Sequence, residues 1–228
     1  MNPVKPGETP RTPWIVGVSG ASGTPYAAAV LRALLAAGES VDLVVSRASR
    51  LTLLDETGIS FRDAHWRDDL RAWLARGADG KPDTFSVDLD AVRHWSAGDL
   101  AAGPSSGSYP TQGMLIVPAS TASVAGVALG LSKDLLQRAA SVTLKEGRKL
   151  VVAVRETPLN GQTLRHLVTL DDAGAVVVPA SPAFYAGATH IQDLVDFVAG
   201  RVLDAAGVPH TLYRRWQGEL GGGAHRAG

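Results

Sequence analysis

The chain has 228 residues, of which 22 are Lys or Arg and 22 are Asp or Glu, so its formal net charge is zero. This balance offers no basic field for nucleic acid or for a membrane surface, and 45% hydrophobic residues exclude a disordered protein. The absence of Cys excludes disulfides, thiolate metal sites and Cys nucleophiles. No apolar run approaches the roughly 18 residues of a membrane helix, and the polar N-terminal segment lacks a signal core. These features predict a cytoplasmic globular protein with neither a membrane nor a nucleic-acid partner.

Short β-branched strands alternate with Ala- and Leu-rich helical segments along the chain. The first strand, Trp14–Val18, precedes a helix that Gly38 ends, and the second, Val41–Val45, precedes a helix from about Ala48 to Glu56. Further strands are predicted at Met114–Val117, Leu150–Val154 and Ala175–Val178, and further helices at 132–147, 163–174 and 191–207. Continuous apolar strands are buried on both faces. The pattern therefore predicts an α/β fold with a single doubly wound, mostly parallel open sheet and helices on both faces, flavodoxin-like or Rossmann-like.

The predicted domain organisation is simple. Residues 1–13 are expected to form a flexible lead-in, 14–219 a single α/β domain, and 220–228 a flexible tail. Residues 57–112 fit the alternation poorly, although 67–76 is compatible with a helix and Val92–Trp95 with a strand. The small-residue stretch 97–113 predicts a long loop, and loops of such length are usually functional or disordered.

Small hydroxyl and glycine residues follow three of the five predicted strands, at Ser19–Gly23, Ser46-Arg47 and Pro118–Ser123. Ligands of open α/β sheets bind beyond the carboxyl ends of the strands, and turns of this kind entering helices suit a phosphate. The other two strands are followed by Arg155-Glu156 and by Pro179–Tyr185, which add a cation, a carboxylate and a phenol. The strand ends together predict a phosphorylated ligand beside acid–base chemistry.

Two familiar motifs are incomplete in this sequence. Gly20 and Gly23 lack the first glycine of the dinucleotide fingerprint G-x-G-x-x-G. The nucleophile elbow G-x-S-x-G around Ser19 fails at Ala21. The six histidines show no paired metal-ligand spacing, so no metal site is predicted.

Segments spread over most of the chain resemble the UbiX-type flavin prenyltransferases, a branch of the FMN-binding flavodoxin-like flavoproteins. They are VGVSGASG (16–23), VSRASRLTLLDET (45–57), SSGS (105–108), PASTAS (118–123), LLQRAASVTLKEGRKLVVAVRETPL (135–159), PASPAFY (179–185), GRVLDAAG (200–207) and RRWQGE (214–219). The segment 58–104 lies outside the resemblance.

The resemblance implies an activity and its partners. Reduced FMN would be alkylated at N5 by dimethylallyl phosphate and closed at C6 without a metal, and the prenylated FMN would serve a UbiD-type decarboxylase. The resemblance also implies a homo-oligomer, a dodecamer in many members of the family.

Matching positions imply roles for individual residues. The catalytic set comprises Ser22, Glu56, Lys145 and Glu156. The flavin-binding set comprises Gly20, Ala21, Ser22, Ser46, Ser120, Thr121, Ala122, Ser123 and Arg138. The set that binds the prenyl donor comprises Ser106, Lys145, Arg155, Tyr185, Arg201 and Trp216.

Elementary chemistry explains these residue types. Breaking an allylic C–O bond releases a phosphate dianion, whose charge cations and a phenol can meet as it develops. A carboxyl group can exchange protons as a general acid or base, and desolvation is expected to raise the pKa of one glutamate. An allyl fragment with cationic character favours an aromatic face, such as that of Trp216.

Two alternative functions remain open at this point. An FMN-dependent decarboxylase of cysteinyl substrates would share the Gly20–Gly23 turn, but it has no prenyl phosphate to hold with Lys145, Arg155 and Tyr185. A flavin carrier without prenyl transfer would tolerate the loss of Glu56 or Glu156, and both residues are present.

Overall fold

The computed structural model describes residues 12–81, 88–216 and 218. The predicted flexible lead-in and tail lie outside these residues, apart from Thr12 and Pro13.

Within the described residues, six strands form one sheet: β1 (Trp14–Val18), β2 (Val41–Val45), β3 (Val92–Ser96), β4 (Gly113–Ala119), β5 (Lys149–Val154) and β6 (Val176–Pro179). The strand order is β3-β2-β1-β4-β5-β6, and every neighbouring pair is parallel. The predicted α/β fold with a parallel open sheet is therefore confirmed. The chain order reverses between β1 and β4, so the helices that follow these two strands lie on opposite faces of the sheet and a crevice forms between them at the carboxyl edge.

Helices cover both faces of the sheet. One face carries α1 (Thr24–Ala36), α2 (Arg47–Thr57), α3 (Trp66–Leu74) and α7 (Ile191–Ala206), and the other carries α4 (Thr121–Ala128), α5 (Leu135–Lys145) and α6 (Gly161–Asp172). Successive residues of a strand point to opposite faces. Val16 accordingly belongs to the hydrophobic cluster on the α1 side, and Ile15 to the cluster on the α5 side.

The structure refines the predicted elements in two places. The single helix expected over 132–147 begins at Leu135, where Asp134 Oδ1 accepts a hydrogen bond from Gln137 N at 2.9 Å. The preceding helix α4 has no counterpart among the predicted helices, because its sequence TASVAGVA lacks a stripe of long apolar side chains. The segment 58–104, which the resemblance left unexplained, supplies α3 and the edge strand β3, and Trp73 of α3 is buried in the core.

The loop between β3 and β4 packs along α5. Arg138 Nε on α5 donates to Ser105 O at 3.0 Å, and Arg148 Nη2 donates to Gly107 O at 2.7 Å. Tyr109 Oη donates to the buried carboxylate of Asp42 at 2.8 Å. These hydrogen bonds hold the predicted long loop against the sheet. Nowhere in the described ranges is a helix both long and apolar enough to cross a membrane.

Candidate active site at the carboxyl edge of the sheet

The loops after β1, β2 and β4 meet at the crevice. Ser19 Oγ donates to Pro118 O at 2.9 Å and accepts from Ser120 N at 2.7 Å, which joins the loops after β1 and β4. A Cβ on Gly20 would lie 2.5 Å from Ala48 Cβ, so glycine is required for the close approach of the first loop to α2. The predicted flavin-binding turns after these three strands are thus brought together.

Two serines of these turns cap helices that begin at the carboxyl edge. Ser46 Oγ accepts from Ser49 N at 3.1 Å at the start of α2, and Ser120 Oγ accepts from Ser123 N at 3.2 Å at the start of α4.

The first turn of α4 suits an anion. The first four N–H groups of a helix lack intrahelical acceptors. At α4 the Ser120 N–H bonds to Ser19 Oγ and the Ser123 N–H to Ser120 Oγ, and the N–H groups of Thr121 and the exposed Ala122 complete the set of four. A phosphate at this helix N-terminus would bind to backbone amides, while the Ser120 hydroxyl serves as the cap.

Glu56 caps a helix other than its own. The N-cap residue of α1, Gly23, has no side chain and a left-handed φ of 112°. Glu56, in the last turn of α2, accepts from Gly23 N at 2.8 Å through Oε1, and from Thr24 N at 2.8 Å and Thr24 Oγ1 at 2.6 Å through Oε2. Both ends of α2 therefore lie near the carboxyl edge of the sheet, so the helix runs along this edge.

The hydrogen bonds to Glu56 determine the direction of its pKa shift. Burial by itself would raise the pKa of Glu56, but hydrogen bonds from the side chains of Thr24 and Ser22 and from the Gly23 and Thr24 amides outweigh it and lower the pKa below the ordinary 4.5. Glu56 is therefore not the glutamate whose pKa desolvation is expected to raise, because the hydrogen bonds that stabilise its carboxylate outweigh the effect of burial. Its carboxylate is a proton acceptor with Ser22 as its neighbour.

Arg155, directly after β5, reaches the first loop. Its Nε donates to Ser22 O at 3.0 Å, so Ser22, Glu56 and Arg155 form one contiguous group. Glu156 is exposed, and its Oε1 accepts from Thr157 N at 3.0 Å within its own turn. Three of the predicted site residues therefore converge beside the crevice, and Glu156 follows Arg155 directly in the chain.

Tyr26 joins this group without having been predicted. A Cβ on Gly23 would lie 2.7 Å from Tyr26 Cδ2 and 3.9 Å from Arg155 Cγ. Burial raises the pKa of the Tyr26 phenol, the charge of Arg155 lowers it, and that of Glu56 raises it. Only the position of Tyr26 in the first turn of the helix after the glycine turn could have indicated it from the sequence.

Two predicted aromatic residues contact each other after β6. Tyr185 lies in the short 3₁₀ turn Phe184–Ala186, and its ring is 5.7 Å from that of Trp216 in an edge-on arrangement. Arg201 and Ser181 line an adjoining cavity of about 550 Å³ whose floor includes β6. The predicted donor-binding residues Tyr185, Trp216 and Arg201 therefore gather around this end of the sheet and α7.

Lys145 and Ser106 are not brought to the crevice. α5 starts at the carboxyl side, where Leu135 N donates to Ala97 O at 2.8 Å, and ends with Lys145 just before β5 begins. Lys145 forms an ion pair with Glu146 beside Gly107, in the loop that carries Ser106. The six residues of β5 separate this amino edge from Arg155 by about 20 Å.

Arg138 is the fourth residue of α5, and its Nε donates to the loop that contains Ser105. Across the described ranges, no three His, Asp or Glu side chains are grouped as metal ligands would be.

Known proteins resemble this chain in sequence and fold. A family model for flavoproteins matches residues 4–203. A flavin prenyltransferase UbiX from Streptomyces coelicolor is 91% identical over 210 residues, covering 92% of this chain and 97% of that protein. The crystal structure of AnUbiX (PadA1) in complex with FMN and dimethylallyl pyrophosphate has a TM-score of 0.77 at 33% identity, covering 92% of this chain and 99% of that one. A dodecameric FMN-dependent UbiX-like decarboxylase from Escherichia coli O157:H7 has a TM-score of 0.76 at 36% identity, covering 91% and 100%.

Proposed function

Since this chain belongs to the flavoprotein family and, within it, to the UbiX-type flavin prenyltransferases, we propose that it transfers the dimethylallyl group of dimethylallyl phosphate to reduced FMN. The observation that carries this proposal is the convergence of Ser22, Glu56 and Arg155 beside the helix N-terminus at Ser120. An anion site, a cation and a proton acceptor around one crevice would support the transfer of a group from a phosphate donor.

The residues present fit FMN. The Thr121 and Ala122 amides at the start of α4 would hold its phosphate, and the turn Gly20–Ser22 with Ser46 and Arg138 would contact the rest of the flavin. Glu56 occupies the N-terminus of α1, so the phosphate is directed to α4. When bound, reduced FMN supplies the nucleophilic ring nitrogen that displaces the donor's phosphate.

Side chains of the protein would stabilise the negative charge that develops on the phosphate and would transfer the protons. Arg155 and Tyr185 donate hydrogen bonds to the phosphate as its C–O bond breaks. Glu156, exposed beside Arg155, exchanges a proton with the departing phosphate. Glu56, kept ionised by its donors, accepts a proton through Ser22 during ring closure. Trp216 offers an aromatic face to the allyl fragment.

We propose that the complete site is formed between copies of the chain. Lys145 lies about 20 Å from Arg155 in one copy, so it would reach a donor site only in a neighbouring copy, together with Ser106 in the loop beside it. The dodecameric relative supports a homo-oligomer of this kind. The product, prenylated FMN, would serve a UbiD-type decarboxylase in the cytoplasm, as the family resemblance implies.

A charge placed at α4 tests the flavin site. Ser120→Asp puts a carboxylate against the proposed phosphate position and should weaken FMN binding about tenfold or more, since like charges repel in a partly buried site. Thr169→Asp adds the same charge to an exposed position near the far end of α6 and should leave FMN affinity unchanged. Flavin fluorescence titration measures both variants. Equal affinity of Ser120→Asp and wild type would contradict the proposed phosphate position.

Substrate comparison separates prenyl transfer from the decarboxylase alternative. Reduced FMN with dimethylallyl phosphate should give a flavin heavier by one C5 unit, while a peptide ending in cysteine should lose no CO₂. Release of CO₂ from the peptide with an unchanged flavin would favour the FMN-dependent decarboxylase instead.

A further inference from the structure

The segment after α7 folds back onto this helix, and three of its side chains form hydrogen bonds with the carboxylate of Asp204. Its Oδ1 accepts from His210 Nε2 at 3.0 Å and from Arg215 Nη2 at 2.7 Å. Its Oδ2 accepts from Arg201 Nη1 at 3.0 Å and from Tyr213 Oη at 2.5 Å. The Asp204 side chain is only 17% exposed and that of His210 only 3%. We call residues 208–216 the C-terminal segment and these five side chains the Asp204 cluster.

The C-terminal segment also packs closely against α7 at Gly200, independently of these hydrogen bonds. A Cβ on Gly200 would lie 2.5 Å from Tyr213 Cδ1 and 2.7 Å from His210 Cε1. Glycine at this helical position therefore leaves the space in which the segment packs, although glycine costs helix stability. The helix and the segment are shaped for each other at the same place where the hydrogen bonds converge.

A chain of aromatic contacts connects the Asp204 cluster to the proposed donor site. The ring of Tyr213 lies 4.8 Å from that of Phe197, and Phe197 lies 5.8 Å from Tyr185. Tyr185 in turn meets Trp216, the last residue of the segment, at 5.7 Å and 82°. The C-terminal segment is therefore hydrogen-bonded to Asp204, and its last residue, Trp216, contacts Tyr185.

We infer that Asp204 is a positioning residue for the prenyl-donor site: it fixes the C-terminal segment on α7, so that Trp216 stays against Tyr185 and Arg201 stays beside the cavity. The inference rests on the proposed function only in its effect on the reaction, since the fixing of the segment is independent of it. Burial would raise the pKa of Asp204, but hydrogen bonds from Arg215, Tyr213 and His210 outweigh it and hold the pKa well below its usual range. The carboxylate is therefore ionised, as four donors require.

Asp204→Asn tests this role with little change of shape. Asparagine offers one acceptor oxygen and an amide that is itself a donor, so it cannot satisfy four donors. Loss of charge-assisted hydrogen bonds should free Arg215 and raise the rate of tryptic cleavage after it about tenfold, read by mass spectrometry as the peptide that begins at Trp216. The KM for dimethylallyl phosphate should rise by a similar factor, while FMN affinity stays unchanged.

Two further variants keep the test sharp. Asp69→Asn is the matched control, because Asp69 is a buried carboxylate that accepts three hydrogen bonds from Arg62 on the α3 side; it should change neither cleavage after Arg215 nor the donor KM. Tyr213→Phe removes one donor of the Asp204 cluster and keeps the ring, so it should shift both readouts in the same direction by a smaller factor.

Unchanged cleavage after Arg215 in Asp204→Asn would overturn the inference. So would a loss of FMN affinity equal to the rise in donor KM, because that result indicates general damage to the fold. Should the wild-type protein transfer no prenyl group at all, the proposed function fails, and the cleavage rates alone decide whether Asp204 fixes the segment.

Discussion

Replacement of Glu56 by Gln should loosen the start of α1, because this carboxylate caps the helix from outside. It accepts from Gly23 N and Thr24 N, each at 2.8 Å, and from Thr24 Oγ1 at 2.6 Å. A hydrogen bond to a charged group contributes about 1.5–3 kcal/mol and an N-cap typically about 1 kcal/mol. Gln keeps one acceptor oxygen but places an NH₂ group opposite the donors of Thr24. Because the position is partly exposed, water can replace part of the lost hydrogen bonding, which reduces the loss in free energy of unfolding.

The resulting estimate is a loss of about 2 kcal/mol in the free energy of unfolding, or a Tm lower by about 4–8 °C for a domain of this length. Denaturant unfolding at pH 7 measures the first quantity, and hydrogen exchange at the Gly23 and Thr24 amides reports on the cap itself. Asp55→Asn is the control, since Asp55 is exposed in the same helical turn and should change stability by less than about 0.5 kcal/mol.

The pH dependence of this difference follows from the lowered pKa of Glu56. A carboxylate whose pKa in the folded protein lies below its ordinary 4.5 stabilises the fold fully above that value, and loses this contribution as the pH falls through the folded pKa. The gap between wild type and Glu56→Gln should therefore be constant between neutral pH and about pH 5 and close in more acidic solution. Equal free energies of unfolding for wild type and Glu56→Gln at pH 7, together with unchanged amide exchange at Thr24, would refute the capping role.

Three more predictions concern other parts of the site and its supports. Glu156→Gln should retain FMN while prenyl transfer collapses, and unchanged turnover would remove Glu156 from the mechanism. Lys145→Ala and Arg155→Ala should each inactivate the protein, yet regain part of the activity when unfolded together and refolded as mixed oligomers; no regain would contradict a site shared between copies. Tyr109→Phe should cost about 2 kcal/mol at pH 7, because the buried Asp42 loses the hydrogen bond that Tyr109 Oη donates at 2.8 Å. Burial raises the pKa of Asp42, so the free energy of unfolding falls as the pH rises through the pKa of Asp42 in the folded protein. The Tyr109→Phe penalty measured by denaturant unfolding should therefore be smaller in acid, where Asp42 is protonated.

The sheet could be predicted from the sequence because its strands are short apolar runs whose burial on both faces allows few other arrangements. Their register follows from the parallel pairing, which sets Val18 level with Val45 and Val154 level with Pro179. The loops after these strands consequently meet at one edge, as the positions of the hydroxyl turns indicated. The helix α4 was missed because small residues give a weak helical pattern.

The contacts between distant segments could not be predicted in this way. Glu56 caps Gly23 across 33 positions of sequence, and no local pattern encodes such a pair. The separation of Lys145 from Arg155 depends on the direction in which α5 runs, which a motif does not specify. The Asp204 cluster, likewise, arises only when the C-terminal segment folds back on α7.

The mass of the flavin after reaction tests the central claim most directly. The purified protein would be incubated without oxygen with reduced FMN and dimethylallyl phosphate, and the extracted flavin analysed by mass spectrometry beside a Glu156→Gln control. The proposed function predicts a flavin heavier by one C5 prenyl unit with wild type and unmodified FMN with the variant. Unmodified FMN from the wild-type protein, retained or not, would contradict prenyl transfer by this chain.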